Sequence, residues 1–212
     1  MATGTPGRPG GDQLVVANGG IRTHPEQGRA RLNISTMDPN ISVLDARTGA
    51  LLESARLPKT LHKLSIRHLD VREDGRVAIA MQYEGDRRDR VPLVGLYEAG
   101  GTVSLLHAPR SIERRMRHYT GSVAFDATGS ILAVSCPRGN LVTFWDAGTG
   151  AYLSHIKAVD ASGIARTDRD GEFLITGGNG AMWIVDSRTR TTHAFLETES
   201  ELRWDNHLGC SV

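Results

Sequence analysis

Three segments of this chain repeat one pattern, and the repetition limits the folds that the chain can adopt. In each copy a short β-branched or aromatic run meets an Asp, and a Thr follows three residues later; the copies are 41–52, 142–153 and 182–192. The Asp and Thr side chains can accept hydrogen bonds from backbone N–H groups just ahead of them, and a Gly in the first two copies supplies a left-handed corner. Each copy therefore predicts a β-hairpin, and the recurrence predicts a repeat architecture.

A second recurring element precedes the hairpins. An acidic or hydroxyl residue and a Gly stand before an alternating strand pattern at Asp74-Gly75, Thr128-Gly129 and Asp170-Gly171, with a looser copy at Gly11-Asp12. The repeating unit is therefore strand, turn, strand, loop, strand, corner, strand. Four antiparallel strands in this order are typical of one propeller blade. We predict an all-β protein, a β-propeller of about four blades.

The spacing of the turns predicts where each blade lies. We expect blades at about 12–62, 63–109, 118–158 and 159–197, with a closing segment at 198–212. Insertions at 21–39, 84–92 and 109–120 interrupt the bare repeat, and loops of this size on a rigid scaffold often carry function. Residues 1–11 show no strand pattern, so we expect them to be disordered or not native to the fold. The first blade then needs a strand from the segment 202–212, unless the chain is a fragment of something longer.

The composition excludes several classes of protein. No stretch approaches the ~20 apolar residues of a membrane span, and a net charge of +1 gives no global field that would recruit nucleic acid. Cys136 and Cys210 are too few for a disulfide framework, and whether they pair stays open. The sequence contains no phosphate-loop, His-Glu-x-x-His or Gly-x-Ser-x-Gly motif, so it predicts no catalytic residue.

Four of the eight histidines are candidates for one common site. His68 and His118 both lie just ahead of predicted innermost strands, and the loops that enter those strands gather around one mouth of a propeller channel. His24 and His207 lie in polar loop segments that could face the same mouth. Converging imidazoles could bind a transition metal or haem iron. The alternative is that these side chains are merely solvated, because their spacing is irregular.

A run of arginines between the second and third blades concentrates positive charge. At helical spacing Arg110, Arg114 and Arg117 would share one face, with Arg115 beside them. Such a face could grip a carboxylate, a phosphate or an acidic partner. The alternative is a solvated face that Glu113 partly neutralises.

Several dispersed segments resemble the bacterial family catalogued as domain of unknown function 1513. The likeness covers roughly residue 12 to the C-terminus, and its motifs occur in order at 15–21, 23–25, 64–69, 92–96, 114–123, 137–146 and 204–208. The resemblance implies a seven-bladed propeller with tryptophan-aspartate or quinoprotein-like blades, of which this chain would be the C-terminal part. It also implies export to the periplasm through a twin-arginine signal and proximity to imelysin-type or other iron-uptake proteins. Because a signal and about three blades are absent, we expect an N-terminally truncated member that, as given, would stay cytoplasmic.

The leading functional hypothesis is a non-enzymatic propeller scaffold of the cell envelope. It would bind a protein partner or an iron-related ligand through the loops at the channel mouth. The candidate binding residues are Asn18, His24, Arg67, His68, Arg117, His118, Tyr119, Asn206 and His207. One alternative is a quinoprotein- or lactonase-like enzyme with a metal or quinone at the mouth. Another is an intracellular tryptophan-aspartate repeat adaptor, which would require the chain to be complete.

Overall fold

The computed structural model describes residues 2–5, 13–24, 26, 30–196 and 203–209 of the chain. These residues form four antiparallel sheets, and the four strands of each sheet pair in chain order. Blades 1 and 2 contain β1 to β8, at Ala2–Thr5, Gln13–Asn18, Asn40–Asp45, Leu51–Arg56, Leu64–Val71, Val77–Tyr83, Val94–Tyr97 and Val103–Leu106. Blades 3 and 4 contain β9 to β16, at Val123–Phe125, Ile131–Cys136, Leu141–Asp146, Tyr152–Lys157, Ala161–Arg166, Glu172–Gly177, Met182–Asp186 and Thr191–Leu196.

The first strand of each blade lies innermost. Strand β1 contacts β5, β5 contacts β9, and β9 contacts β13, so the four sheets lie side by side around one axis. The predicted all-β class, with four blades of four antiparallel strands, is confirmed. Helix α1 spans Arg110–Arg115 between blades 2 and 3, and short 3-10 turns lie at Ile34–Thr36, Lys59–Leu61 and Pro137–Gly139. Within the described ranges, no helix has the length and apolar character needed to cross a membrane.

Because the strands of a blade run antiparallel in chain order, their connections fall at two ends. The links from first to second strand and from third to fourth strand lie at one end, which we call the turn end. The links from second to third strand and from blade to blade lie at the opposite end, which we call the mouth. The mouth contains the connections 19–39, 57–63, 84–93, 107–122, 137–140, 158–160 and 178–181.

The first blade takes its innermost strand from a place that the sequence did not suggest. Strand β1 pairs with β2 from Ala2 opposite Val16 to Thr5 opposite Gln13. The expectation of no strand within residues 1–11 is therefore wrong for residues 2–5. A ladder is made of backbone groups, so a segment without apolar alternation can still complete an open sheet edge. The described residues 203–209 form no strand, so they do not supply the one that we expected from 202–212.

The two middle blades are the most deeply buried part of the molecule. Strand β10 is buried at every position, and β6 is buried at all but its last residue. Strands β2 and β15, in the outer blades, are buried at only a minority of positions. Strands of a sheet that is covered on both faces have continuous runs of apolar residues, whereas strands of a half-covered sheet alternate apolar and polar residues. Two apolar cores result, one joining blades 1 to 3 and one between blades 3 and 4.

The hairpin corners at the turn end are built as the repeat predicts. The Asp146 carboxylate accepts hydrogen bonds from the backbone N–H of Gly148 (3.0 Å) and Thr149 (2.7 Å) and from the Thr149 hydroxyl (2.8 Å). The backbone of Gly150 is left-handed, with φ of +75°. These hydrogen bonds, with that from the Thr149 backbone the largest, lower the pKa of Asp146. The same pattern recurs at Asp45.

A buried carboxylate joins blades 3 and 4 at the turn end. Asp126 is fully buried. One of its oxygens accepts from the backbone N–H of Ser130 (2.8 Å) and Ile131 (2.9 Å). The other accepts from the Thr128 hydroxyl (2.8 Å) and from the backbone N–H of Gly171 (2.9 Å), which lies in the next blade. The Asp126 side chain thereby stabilises the turn of blade 3 and holds blade 4 against it.

The two cysteines differ in what the structure describes. Cys136 is fully buried on β10 and has no disulfide partner among the described residues, and burial raises the pKa of its thiol. Cys210 lies outside the described residues, so the pairing of Cys136 with Cys210 is not tested.

Candidate binding face at the mouth of the propeller

The segment 203–209, which we call the tail segment, crosses the mouth from blade 4 to blade 2. The Trp204 indole N–H donates to the carbonyl oxygen of Gly180 in blade 4 (2.9 Å). The Asn206 amide donates to the Tyr119 hydroxyl oxygen beside blade 3 (2.7 Å). The His207 ring lies 4.6 Å from the His68 ring of blade 2, measured between centroids. The tail segment thus brings together four of the predicted site residues: His68, Tyr119, Asn206 and His207.

His68 lies within the innermost strand of blade 2, next to a bulge, and not just ahead of that strand as the sequence predicted. The register of β5 against β6 shifts between Ile66 and His68, which leaves Arg67 exposed while His68 is only 7% exposed. Burial, with a smaller contribution from the neighbouring His207, lowers the pKa of His68 to about 4. The imidazole is therefore neutral at pH 7. Its Nε2 atom is buried without a hydrogen-bond partner among the described residues.

The four candidate imidazoles do not converge on one point. His24 is exposed in the blade 1 loop, where its Nδ1 faces the backbone N–H of Glu26 at 3.3 Å. The Nε2 of His118 lies 2.8 Å from the carbonyl oxygen of Asp89. A carbonyl only accepts, so this nitrogen carries the proton and has no lone pair for a metal. Among the described residues, no three His, Cys, Asp or Glu side chains are grouped to hold a metal ion. The described mouth therefore contains no metal site with three or more such ligands, and we derive no chemistry through a metal or haem.

Asn18 has a structural role within its own blade. Its amide donates to the Asn40 side-chain oxygen (2.9 Å) and to the Ser42 hydroxyl (3.2 Å), which ties β2 to β3 at the mouth. The next residue, Gly19, packs so closely against blade 2 that a Cβ there would lie 2.6 Å from the Ser65 hydroxyl oxygen. Asn18 therefore lies at the mouth, but both of these hydrogen bonds are made inside blade 1.

A cleft of about 900 Å³ opens between the loop 84–93 of blade 2 and helix α1 with the residues that follow it. Its two walls meet where the His118 ring bonds to the Asp89 carbonyl and packs 5.5 Å from the Tyr83 ring. The Tyr83 hydroxyl donates to the Asp89 carboxylate (2.6 Å). The basic residues that line the cleft are Arg31, Arg87, Arg88, Arg90, Arg114, Arg117, His118 and Arg138. We call this space the basic cleft.

The chain turns sharply where α1 ends, beside the basic cleft. Arg117 and His118 are both left-handed, with φ of +52° and +57°. Such a conformation costs roughly 1–2 kcal/mol for a residue other than Gly. Non-glycine residues in sparsely populated conformations cluster at binding sites, where the surrounding structure holds them. The strain here places the Arg117 side chain at the cleft.

The structure changes the sequence interpretation of the arginine run. Arg114 and Arg117 line the basic cleft, but Arg110 is not among its lining residues. The helix ends at Arg115, so the three do not share one helical face as the spacing suggested. Arg115 instead points to blade 3, where it lies 3.5 Å from the Nε2 atom of His155.

The sequence interpretation missed the opposite wall. Arg87 and Arg90 line the basic cleft from the blade 2 loop. The available signal was the run Arg87-Arg88-Asp89-Arg90 inside the predicted insertion 84–92. Arg138 was also missed; its guanidinium lies over the Tyr119 ring, 4.5 Å from the centroid, in a cation–π contact.

Comparison with known protein families gives one match over most of the chain. Residues 7–211 match the model of the family described as "Protein of unknown function (DUF1513)". The chain belongs to this family. No curated protein matches the DUF1513 chain significantly.

Among solved structures, the β-propeller domain of Myceliophteria thermophila Cps50 (Swd1) is similar to the DUF1513 chain. The TM-score is 0.58 and the sequence identity is 17%, over 88% of this chain and 53% of that one. At this identity the likeness shows the fold alone. The DUF1513 chain spans about half the length of that propeller domain.

Proposed function

We propose that this DUF1513 chain is a non-catalytic binding platform and that its mouth, rather than its turn end, contacts the partner. The observation that carries the proposal is the basic cleft, where exposed arginines from two separate connections face one space. Binding residues are commonly found on loops that a rigid scaffold holds in place. The buried middle blades provide such a scaffold beneath the cleft.

The tail segment supports the mouth as the contact face. It holds Asn206 against Tyr119 and His207 against His68, so polar groups from three blades and the tail segment form one continuous surface with the basic cleft. Tyr119 joins the two parts, because its hydroxyl accepts from Asn206 of the tail segment and its ring lies under the Arg138 guanidinium, which lines the basic cleft. The surface therefore combines Arg67, Arg117, His118, Tyr119, Asn206 and His207, all taken from the predicted set.

The partner and the location are proposed from the family resemblance. We propose that the intact protein works in the periplasm, as part of a seven-bladed propeller, beside imelysin-type iron-uptake proteins. A basic mouth suits an acidic surface on such a partner, because complementary charge steers association and sets specificity.

Binding of a purified imelysin-type protein to the immobilised chain tests this proposal. We expect retention by the wild-type chain and by the control Arg188→Glu/Arg190→Glu, which reverses two exposed charges at the turn end. The variant Arg114→Glu/Arg117→Glu reverses two charges in the basic cleft and should weaken retention at least about tenfold. No retention at micromolar concentration would overturn the iron-uptake assignment. Equal retention by both variants would overturn the mouth as the contact face.

The enzyme alternative requires Glu, Asp, Asn and His side chains that converge at the mouth. The described residues do not group three metal-ligating side chains of the His, Cys, Asp or Glu type. No specific contact favours a lactonase or quinoprotein site, so we propose no second function.

A further inference from the structure

The basic cleft has a chemistry more specific than that of a general contact surface. We infer that it is a binding site for a small polyanion that carries two or more carboxylate or phosphate groups. This inference rests on the proposed function, since it names the ligand class of the same mouth. The inference is supported by the net charge of the basic cleft, by the ion pairs that its lining residues form or lack, and by its size.

The charge of the basic cleft exceeds that of the whole molecule. Seven guanidiniums line it against the three carboxylates of Glu84, Asp89 and Glu113, and Arg88 is also paired with Asp86, which is not among the lining residues; a surplus of three positive charges remains. The formal net charge of the entire chain is only +1. Positive charge is therefore concentrated in this one place, and a concave site of one sign focuses its field on ligands of the opposite sign.

The carboxylates in the basic cleft already have partners. Glu84 forms an ion pair with Arg31, and Asp89 accepts from the Tyr83 hydroxyl. The Glu113 carboxylate lies 3.2 Å from the Nδ1 atom of His107. None of the three is paired with the arginines that stand in the open part of the cleft.

Four of the arginines have no ion-pair or hydrogen-bond partner for the side chain within the described part of the chain. Two belong to the blade 2 wall and two to the α1 wall: Arg87, Arg90, Arg114 and Arg117. A guanidinium presents a planar fork of donors that matches a carboxylate or a phosphate at two atoms. Forks on both walls favour a ligand with at least two anionic groups over a single monovalent anion.

The framework beneath the arginines is fixed before any ligand binds. The backbone N–H of Tyr83 donates to the carbonyl of His118 (3.0 Å), and the His118 ring bonds to Asp89 on the other wall (2.8 Å). The hydroxyl of Thr120, which is fully buried, donates to the carbonyl of Met81 (2.8 Å). Both walls are thus anchored on β6. A fixed framework lowers the entropy cost of ordering the site.

The size of the basic cleft suits a small molecule. Its volume of about 900 Å³ lies within the roughly 300–1,000 Å³ of typical ligand sites. Both walls are open to solvent, since the side chains of Arg87, Arg90, Arg114 and Arg117 are all exposed. A charged, hydrated ligand can therefore enter without displacing a buried side chain.

Isothermal titration calorimetry at low ionic strength tests the inference. The probes are citrate, pyrophosphate and acetate, since salt screens exposed charges beyond about 10 Å at 0.1 M. We expect saturable binding of citrate or pyrophosphate and none of acetate. The variant Arg90→Gln/Arg117→Gln removes one fork from each wall and should weaken binding at least about tenfold, or about 1.4 kcal/mol. The control Arg188→Gln/Arg190→Gln makes the same charge change at the turn end and should bind as the wild type does.

The outcomes separate the ligand sources and the two proposals. Tighter binding of citrate would identify the natural ligand as a polycarboxylate, and tighter binding of pyrophosphate would identify it as a polyphosphate. No saturable heat from either at millimolar concentration overturns the inference, as does equal weakening by the control. Binding of a poly-glutamate peptide but of neither small anion also overturns it, in favour of an acidic protein segment. If citrate or pyrophosphate binds while the imelysin-type protein is not retained, the small-polyanion site is supported and only the proposed protein partner is wrong.

Discussion

The two ends of the propeller solve the same backbone problem differently. Among the described residues, the turn end contains seven left-handed positions, and six of them are glycines: Gly49, Gly75, Gly100, Gly129, Gly150 and Gly171. The mouth contains six such positions, and four of them are occupied by Arg117, His118, Asn140 and Asp160. Glycine adopts this conformation without strain, whereas other residues do so at a cost. The turn end is built for stability, and the mouth accepts strain.

Polar groups show the same division. At the turn end the Asp126 carboxylate has four hydrogen bonds, and Asp146 has three from a single corner. At the mouth, Ser65 Oγ and His68 Nε2 are buried without a partner among the described residues; at the turn end Arg76 Nε is also unpaired, but that guanidinium still donates to the Ala147 carbonyl through Nη1. Functional sites commonly sacrifice stability in this way, so the two ends should differ in what their substitutions change.

The largest effect is expected at the turn end. Substitution Asp126→Ala removes all four hydrogen bonds and leaves the buried N–H groups of Ile131 and Gly171 unsatisfied. At roughly 1–3 kcal/mol for each such group, the free energy of unfolding should fall by about 3–4 kcal/mol. Urea denaturation measures it. The control Asp168→Ala, at an exposed position of the blade 4 turn, should change stability by less than about 0.5 kcal/mol. Equal losses in both variants would refute the role of Asp126.

The second effect belongs to the mouth and depends on pH. The pKa of His68 is lowered to about 4 in the fold, against about 6.5 for an ordinary histidine. The unfolded chain therefore binds more protons between these two values, so stability falls as the pH drops from about 6.5 towards 4. The ionisable groups that act on His68 include His207, Asp205 and Arg67.

Comparison with His68→Gln isolates this pH effect from other titrating groups. The loss of stability between pH 7 and pH 4.5 should be smaller in the variant than in the wild type, by at most about 3 kcal/mol. Urea denaturation at the two pH values measures it, and an NMR titration should give a His68 pKa near 4. An identical pH dependence in both proteins would show that the tail segment does not bury His68 in solution.

The smallest effects compare the ends directly. Arg117→Gly at the mouth and Arg190→Gly at the turn end each relieve a left-handed residue, with φ of +52° and +59°. Removing the left-handed strain stabilises the fold by about 1–2 kcal/mol. The gain is partly offset because Gly increases the backbone conformational entropy of the unfolded chain. Each variant should therefore gain about 0.5–1 kcal/mol by thermal or urea unfolding.

Only the mouth substitution should also change binding. Arg117→Gly should weaken the binding of citrate or pyrophosphate, whereas Arg190→Gly should leave it unchanged. Arg114→Gly provides the control for conformation, because Arg114 lies within helix α1, where Gly costs about 1 kcal/mol. Destabilisation by Arg117→Gly would contradict the strain that we ascribe to the mouth.

Much of the fold could be predicted from the sequence, because the hairpin corners are local. The side-chain hydrogen bonds of Asp146 reach no further than Thr149, and the Gly150 that follows meets the left-handed requirement. The strand β1 could not be predicted, because its segment has no alternating apolar pattern and a backbone ladder with β2 does not require one.

The candidate site was predictable only in part. His68, Tyr119, Asn206 and His207 were selected one by one and do lie together. The four imidazoles do not converge, however, and the blade 2 wall with Arg87 and Arg90 was missed. A run of arginines in a loop has the same pattern whether it is solvated or lines a cleft, and only the position of the opposite wall distinguishes the two.

The sequence by itself determined the repeat, the blades and the corners, because those features depend on hydrogen bonds between residues a few positions apart. Only the tertiary structure decided the mouth. The bond between Asn206 and Tyr119 joins residues 87 positions apart, and the basic cleft is formed by two connections that meet only after β6 and β9 have packed together. Burial and charge at such a place depend on which segments the fold brings together, and no local pattern specifies that.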